Sequence, residues 1–230
     1  MKKTGFIAIV GRPNVGKSTL LNTMLGEKVA IVSSKPQTTR NRIIGIHTVG
    51  DDQYVFLDTP GIFKPRNSLG SFMVKTANSS MQDADAVILV VDTGKPISDI
   101  EKNVIKYLKT TDTPGILALN KIDLYRREEI AQTIAAYAEL HDFSAVVPIC
   151  AKNGKGVDAL LDECKPHLAE SEFFFPEDMV TDQSERQVAA EVIREKLLRT
   201  LNKEIPHGIA VAIEEFKEPD ILAIYSILSL

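Results

Sequence analysis

The chain has 230 residues, 44% hydrophobic and 25% charged, with a net charge of −4. That balance predicts a soluble globular protein of one full domain and part of another, and excludes a wholly basic nucleic-acid binder. Two cysteines, Cys150 and Cys164, cannot build a disulfide framework and suit a reducing compartment. No stretch approaches the roughly twenty apolar residues of a membrane-spanning helix, and the short run after Met1-Lys2-Lys3 is broken too early for a signal peptide, so a cytoplasmic location is expected.

Phe6–Val10 reads as the first buried strand. Gly11-Arg12-Pro13-Asn14-Val15-Gly16-Lys17-Ser18 follows it and fits G-x-x-x-x-G-K-[ST], and a helix starts near Thr19. Strand, glycine loop and helix form a cradle for nucleotide phosphates, because backbone N–H groups converge there at the positive end of a helix. Lys17 would reach the outer phosphates, and the Ser18 hydroxyl would ligate Mg²⁺. Next comes Pro36-Gln-Thr-Thr-Arg-Asn41, where a Thr can reach Mg²⁺ and the γ-phosphate only when a nucleoside triphosphate is bound. Thr38 and Thr39 are both candidates, with Thr39 favoured.

Ile43–Val49 and Tyr54–Leu57 flank Gly50-Asp51-Asp52 and predict a hairpin. Asp58-Thr59-Pro60-Gly61 sits at the end of its second strand. Asp58 can hold Mg²⁺ through water, and the Gly61 N–H can donate to a γ-phosphate. Ile62 then stands where Ras-like enzymes place a water-orienting Gln, which excludes Gln-assisted hydrolysis.

Further strands are expected at Ala86–Val91, Gly115–Leu119 and Ala145–Ile149, with helices over 69–81, 99–109, 127–141 and 156–168. Asn120-Lys121-Ile122-Asp123 follows one of these strands. The Asp123 carboxylate can accept from N1–H and the 2-amino group of guanine, whereas adenine would leave it facing an acceptor. The Lys121 stem can lie across the base, and Asn120 can tie this loop to the phosphate loop. Asn120 and Asp123 also disfavour an ATP-dependent kinase. Cys150-Ala151-Lys152 follows the last strand, with the Ala151 N–H expected to meet guanine O6. Cys150 replaces the usual Ser there, and no His is placed to activate it as a nucleophile. The predicted fold class is α/β, a P-loop GTPase fold. Its sheet would have six mostly parallel strands, one of them antiparallel, with helices on both faces and ligands at the strands' carboxyl ends.

Three segments are expected: a GTP-binding domain over 1–169, a linker over 170–184 packed by Phe173–Phe175, and a remainder over 185–230. The last should begin with an amphipathic helix over 185–202, with Val188, Val192, Ile193, Leu197, Leu198 and Leu201 on its apolar side and a strand over 209–213 beyond it. Arg186, Arg194, Lys196, Arg199 and Lys203 read as a solvated face.

The pieces GRPNVGKS, KPQTTRNRIIGI, DTPGI and FFPEDMVTDQSERQVAAEVIREKLLRTLNKEIPHGIAV resemble the Era family of translation-factor-like GTPases, from residue 4 to about 217. The resemblance implies a GTP/GDP switch, with Mg²⁺, in maturation of the 30S ribosomal subunit. The 16S rRNA near its 3′ end would be the partner, with loose association to the inner membrane face. It implies that Asn14 coordinates K⁺, so that hydrolysis is slow and stimulated by K⁺ more than Na⁺. It also implies that the final segment starts a KH domain. A KH domain clamps RNA with a G-x-x-G loop, and none follows residue 205. The segment is therefore expected to be a partial, truncated α+β KH-like unit, which counts against RNA binding by this chain. A monomer is expected. The competing reading is a nucleotide-gated module in which hydrolysis is incidental and which recruits a protein or membrane partner.

Overall fold

In a computed structural model of the chain, the described residues are 1–33, 38–39, 41–62, 68–200 and 210–214. They divide into two compact units, Met1–Gln183 and Ser184–Leu230.

The first unit is built on seven strands: β1 (Lys3–Val10), β2 (Ile43–Val49), β3 (Asp52–Asp58), β4 (Ala86–Asp92), β5 (Gly115–Asn120), β6 (Ala145–Pro148) and β7 (Ala169–Glu170). The main path runs β2-β3-β1-β4-β5-β6. Among these strands only β2, against β3, and β7, against β1, pair antiparallel. The expected six strands are all present. The seventh, β7, was not foreseen: two residues, paired through Lys3 and Thr4 to Glu170 and Ala169, leave no hydrophobic pattern to read.

The strands are apolar almost throughout because both faces are covered. Alternate β1 residues serve opposite layers. Ile7 and Ile9 pack with Leu20, Leu21 and Met24 of α1 (Lys17–Leu25) and with Leu160 and Cys164 of α5 (Val157–Cys164). Ala8 and Val10 pack with Ala77 and Met81 of α2 (Ser68–Gln82), Val104, Ile105 and Leu108 of α3 (Asp99–Thr111) and Tyr137 of α4 (Arg127–Ala138). The helices expected over 127–141 and 156–168 are shorter than predicted. The second gives way to a 3-10 turn at Lys165–His167, where Pro166 has no N–H to continue the α ladder.

Residues 171–183 belong to the first unit. Fully buried Gln53 accepts from the amides of Phe174 and Phe175 at 2.9 and 3.1 Å and donates to the Phe175 carbonyl at 2.9 Å. Phe174 stacks on Phe6 with centroids 5.4 Å apart. Thr181 then forms a bridge with Gly45 on strand β2, and its hydroxyl donates to the Ile44 carbonyl at 2.7 Å. A segment expected to be a linker is thus held along the sheet by its own backbone.

The second unit contains α6 (Glu185–Thr200). Of its expected apolar side, Leu198 is buried, whereas Ile193 and Leu197 are exposed. Arg194, expected on a solvated face, is instead buried and pairs with Glu191, one turn before it, at 2.5 Å. Arg186 donates to the Glu214 carbonyl at 3.0 Å. The strand expected over 209–213 is absent among its described residues, 210–213; Leu201, Lys203 and the segment after 214 lie outside the described residues.

Candidate functional site

The site lies at the carboxyl ends of β1, β3, β4 and β5, where three loops meet. Gly11–Gly16 wrap the N-terminus of α1, whose helical hydrogen bonding begins with Leu20 N–H on the Gly16 carbonyl at 2.8 Å. Space dictates glycine at Gly11, where a Cβ would sit 2.3 Å from the Val90 carbonyl oxygen, and at two further positions. A Cβ on Gly16, at φ +105°, would sit 2.2 Å from the Asn120 amide nitrogen, and one on Gly61 would sit 2.7 Å from Pro13 Cα. Val15 is buried in the core below the loop, Asn14 is exposed at φ 62°, and Thr19 lines the cleft.

Lys17 is buried and donates to the Gly11 and Arg12 carbonyls at 3.1 and 2.9 Å. Burial pushes its ammonium down to about 8, against the opposing pull of Asp58. Burial likewise pushes the Asp58 carboxyl up to about 6, partly offset by Lys17, the Ser18 hydroxyl and the Thr59 amide. These shifts follow from a desolvated lysine beside a desolvated carboxylate.

Ser18 Oγ donates to Asp58 Oδ2 at 2.7 Å and lies 3.0 Å from Thr39 Oγ1. Of the two candidate switch threonines, Thr39 is therefore the one at this cluster; Thr38 is also buried and lines the same cleft. Pro36, Gln37 and Arg40 of that segment lie outside the described residues. The other Asp58 oxygen, Oδ1, is buried without a hydrogen-bond partner among the described residues. Three hard oxygen donors and a buried, unsatisfied carboxylate oxygen fit Mg²⁺ and its bound water.

The D-x-x-G loop is fixed at both ends. Thr59 donates to the Ile9 carbonyl at 2.8 Å, and the Ile62 amide donates to the Gly11 carbonyl at 3.0 Å. Pro60 is buried between them. Ile62 itself turns into the core with Ala8, Val10 and Leu89, away from the cleft, and its hydrocarbon side chain cannot orient a water.

The second half of the site adjoins the first and shares Gly16 and Thr19 with it. Asp123, Leu124, Cys150, Ala151 and Lys152 line this cleft, with the Asp123 side chain exposed to it. Asn120 holds the three loops together. Its Nδ2 donates to the Val15 carbonyl at 2.8 Å, and its Oδ1 accepts from the amides of Lys121 at 2.8 Å and Ala151 at 2.9 Å. The tie from Asn120 to the phosphate loop is thus present. The Ala151 amide, expected to meet guanine O6, is directed at Asn120, because that side chain already offers an acceptor beneath the loop. Cys150 is buried, and its amide donates to the Lys155 carbonyl at 2.8 Å, so the usual Ser is replaced inside an intact turn.

A family model described as "50S ribosome-binding GTPase" matches residues 6–152. GTPase Era of Syntrophus aciditrophicus (strain SB) is 50% identical over 220 residues, covering 96% of this chain and 72% of that protein. The chain belongs to the Era family of GTPases. GTPase Era of Clostridioides difficile (strain 630) is also 50% identical, over 94% of this chain and 73% of the relative. A crystal structure of Era in complex with MgGDPNP and nucleotides 1506–1542 of 16S ribosomal RNA superposes with a TM-score of 0.89 at 39% identity, over 96% of this chain and 75% of the other. The crystal structure of a point variant of Aquifex aeolicus Era bound to GDP·AlF4⁻ gives 0.89 at 40% identity, over 95% of this chain and 74% of the other. As an Era-family member the chain is a GTPase.

Several residues of the site carry no motif. Asn22 of α1 clamps the start of the segment leading to Thr39: its Oδ1 accepts from the Val29 and Ala30 amides at 3.1 and 2.9 Å, and its Nδ2 donates to the Ala30 carbonyl at 2.8 Å. Fully buried Glu101 of α3 pairs with Arg12 of the phosphate loop at 2.8 Å and caps Ser98 at 2.7 Å. The Ser98–Glu101 spacing is a capping-box signature and could have flagged the helix start, though not the ion pair. Asp92 and Tyr125 stand behind Lys121, and nothing in their spacing signals it.

Proposed function

We propose that this chain is a GTP/GDP switch acting on the 30S ribosomal subunit through 16S rRNA, with hydrolysis assisted by K⁺. The observation that carries this reading is the 39% identical Era structure that holds MgGDPNP and a 16S rRNA fragment and covers 96% of this chain. The family model's description names the 50S subunit, but it spans only 6–152, a region that excludes α6 and all that follows. A complex covering nearly the whole chain is the stronger guide to the partner.

Within that reading each residue has a defined task. Lys17 leaves the Gly11 and Arg12 carbonyls and places its ammonium against the outer phosphates. The Gly61 amide, set beside Pro13, donates to the γ-phosphate. Ser18 and Asp58 hold Mg²⁺, directly and through water, and Thr39 joins them when GTP is present. Mg²⁺ neutralises charge on the phosphate oxygens. Asp123 reads the guanine edge.

With Ile62 in the core, stabilisation of the developing charge must come from elsewhere. Asn14 supports a K⁺ role by donor chemistry: a neutral amide on an exposed turn at the rim of the phosphate cleft. K⁺ there would offset charge on the phosphate as an arginine finger does. The test is GTP turnover by the full chain in equimolar KCl and NaCl. Faster turnover in KCl, lost in Asn14→Ala, is expected; equal rates refute the K⁺ assignment. For the partner, co-sedimentation with 30S subunits should be stronger with GDPNP than with GDP. Equal or absent co-sedimentation would favour the nucleotide-gated module instead. A cytoplasmic location, with peripheral contact at the inner membrane face, completes the proposal, and cell fractionation reads it directly.

A further inference from the structure

Lys121 has an uncommon backbone for its type, with φ 65° in the left-handed region. The turn sends its side chain back toward the phosphate loop. Its Nζ donates to the Asn14 carbonyl at 2.9 Å and to Asp92 Oδ2 at 2.8 Å. Asp92 closes β4 and pairs in register with Asn120 of β5, so the sheet itself sets it one residue from Lys121. Its second oxygen, Oδ1, accepts from the Tyr125 hydroxyl at 3.1 Å. Tyr125 in turn lies against Gly94, where a Cβ would sit 2.4 Å from the ring. The next residue, Thr93, reinforces the join: its amide and hydroxyl both donate to the Asn120 carbonyl, at 3.1 and 2.9 Å.

We propose that Asp92, oriented by Tyr125, is a positioning residue for nucleotide binding: it fixes the Lys121 ammonium so that the base loop and the phosphate loop are held at one spacing. Lys121 alone could swing its flexible stem to solvent, and the Asn14 carbonyl is a single neutral acceptor. The carboxylate supplies a charge-assisted second anchor on the far side of the ammonium. It also keeps that cation from the phosphates, so Lys17 faces them without a competitor. The base cleft then presents the Lys121 methylenes to the ring as a fixed wall, and less ordering is left for the nucleotide to impose on binding.

The test is a double-mutant cycle on the full chain, read as the Kd and dissociation rate of fluorescent mant-GDP. Asp92→Asn keeps the shape and removes the charge; it should raise Kd about tenfold, mostly through faster release. Tyr125→Phe should raise it about threefold. In a Lys121→Met background, which keeps an apolar stem without the ammonium, both substitutions should change Kd by less than about twofold, as two groups acting through one partner must. A purely structural role would lower the melting temperature while giving the same factor in both backgrounds. That result, or an unchanged Kd for Asp92→Asn beside Lys121, overturns the proposal. If Asp92→Asn fails to fold by circular dichroism, Tyr125→Phe carries the same cycle and the same two outcomes.

Discussion

Replacing Asn120 with Ala tests how far one side chain assembles the nucleotide site. Asn120 is 3% exposed and makes three hydrogen bonds of 2.8–2.9 Å, one to each of three separate loops. The substitution removes all three and leaves the Val15 carbonyl and the Lys121 and Ala151 amides without that partner. At about 1 kcal/mol net for each bond, the loss is about 3 kcal/mol. It divides between two measurements. If the loops stay in place without Asn120, the loss falls on folding; if they part and close again only around nucleotide, it falls on binding. The sum is what the structure fixes. Thermal or urea denaturation without nucleotide gives the first part and mant-GDP titration the second, where each 1.4 kcal/mol is about a tenfold change in Kd. A combined loss under about 1 kcal/mol would refute the view that Asn120 is the common tie, since it would mean that water replaces all three bonds without cost.

The buried lysine gives a pH signature. Burial brings the Lys17 ammonium down to about 8 and the Asp58 carboxyl up to about 6, yet the phosphates need the ammonium, so mant-GDP affinity should be flat between about pH 6 and 8 and weaken by up to about tenfold per unit above it. The folded Lys17 pKa lies below the unfolded one, so the unfolded chain binds more protons between about 8 and 10.5. The stability contribution of Lys17 therefore rises with pH in that window while affinity falls. Affinity that is level to about pH 9.5 would contradict the assignment. On β3, beneath the linker, Gln53→Ala removes three hydrogen bonds to Phe174 and Phe175. It should cost about 3 kcal/mol, or about 9 °C in melting temperature. A shift under about 2 °C, on the same scale, would show that the Phe174 stacking on Phe6 holds the strap without Gln53.

What could be read from the chain alone follows the range of the interactions. The phosphate loop, D-x-x-G and N-K-x-D each lie within a few residues and follow a strand, so composition and order carry them. Continuous apolar runs revealed β4 and β5 because both faces of the sheet are covered. Asp92, Tyr125, Asn22 and Glu101 were not legible. Asp92 reaches Lys121 across 29 positions and Glu101 reaches Arg12 across 89, and only the folded sheet makes them neighbours. Gln53 carries no local signal, because its role exists only where the chain returns 121 residues later. In α6 the spacing predicts a wider apolar side than the structure buries, since helical spacing shows which residues share a side and not whether that side is covered.

The burial of Ile62 limits what substitution can do to this enzyme. Its side chain is 9% exposed and shares the core with Ala8, Val10 and Leu89. Installing Gln there would put an amide among hydrocarbon, at a cost of about 1–3 kcal/mol, before it could meet any water. The backbone offers little freedom to turn it outward, because the same residue's N–H is bound to Gly11. A glutamine-dependent catalyst is therefore not one codon change away. A Gln at this position would need both a refilled core beside Ala8, Val10 and Leu89 and a loop freed from Gly11 before it could orient a water.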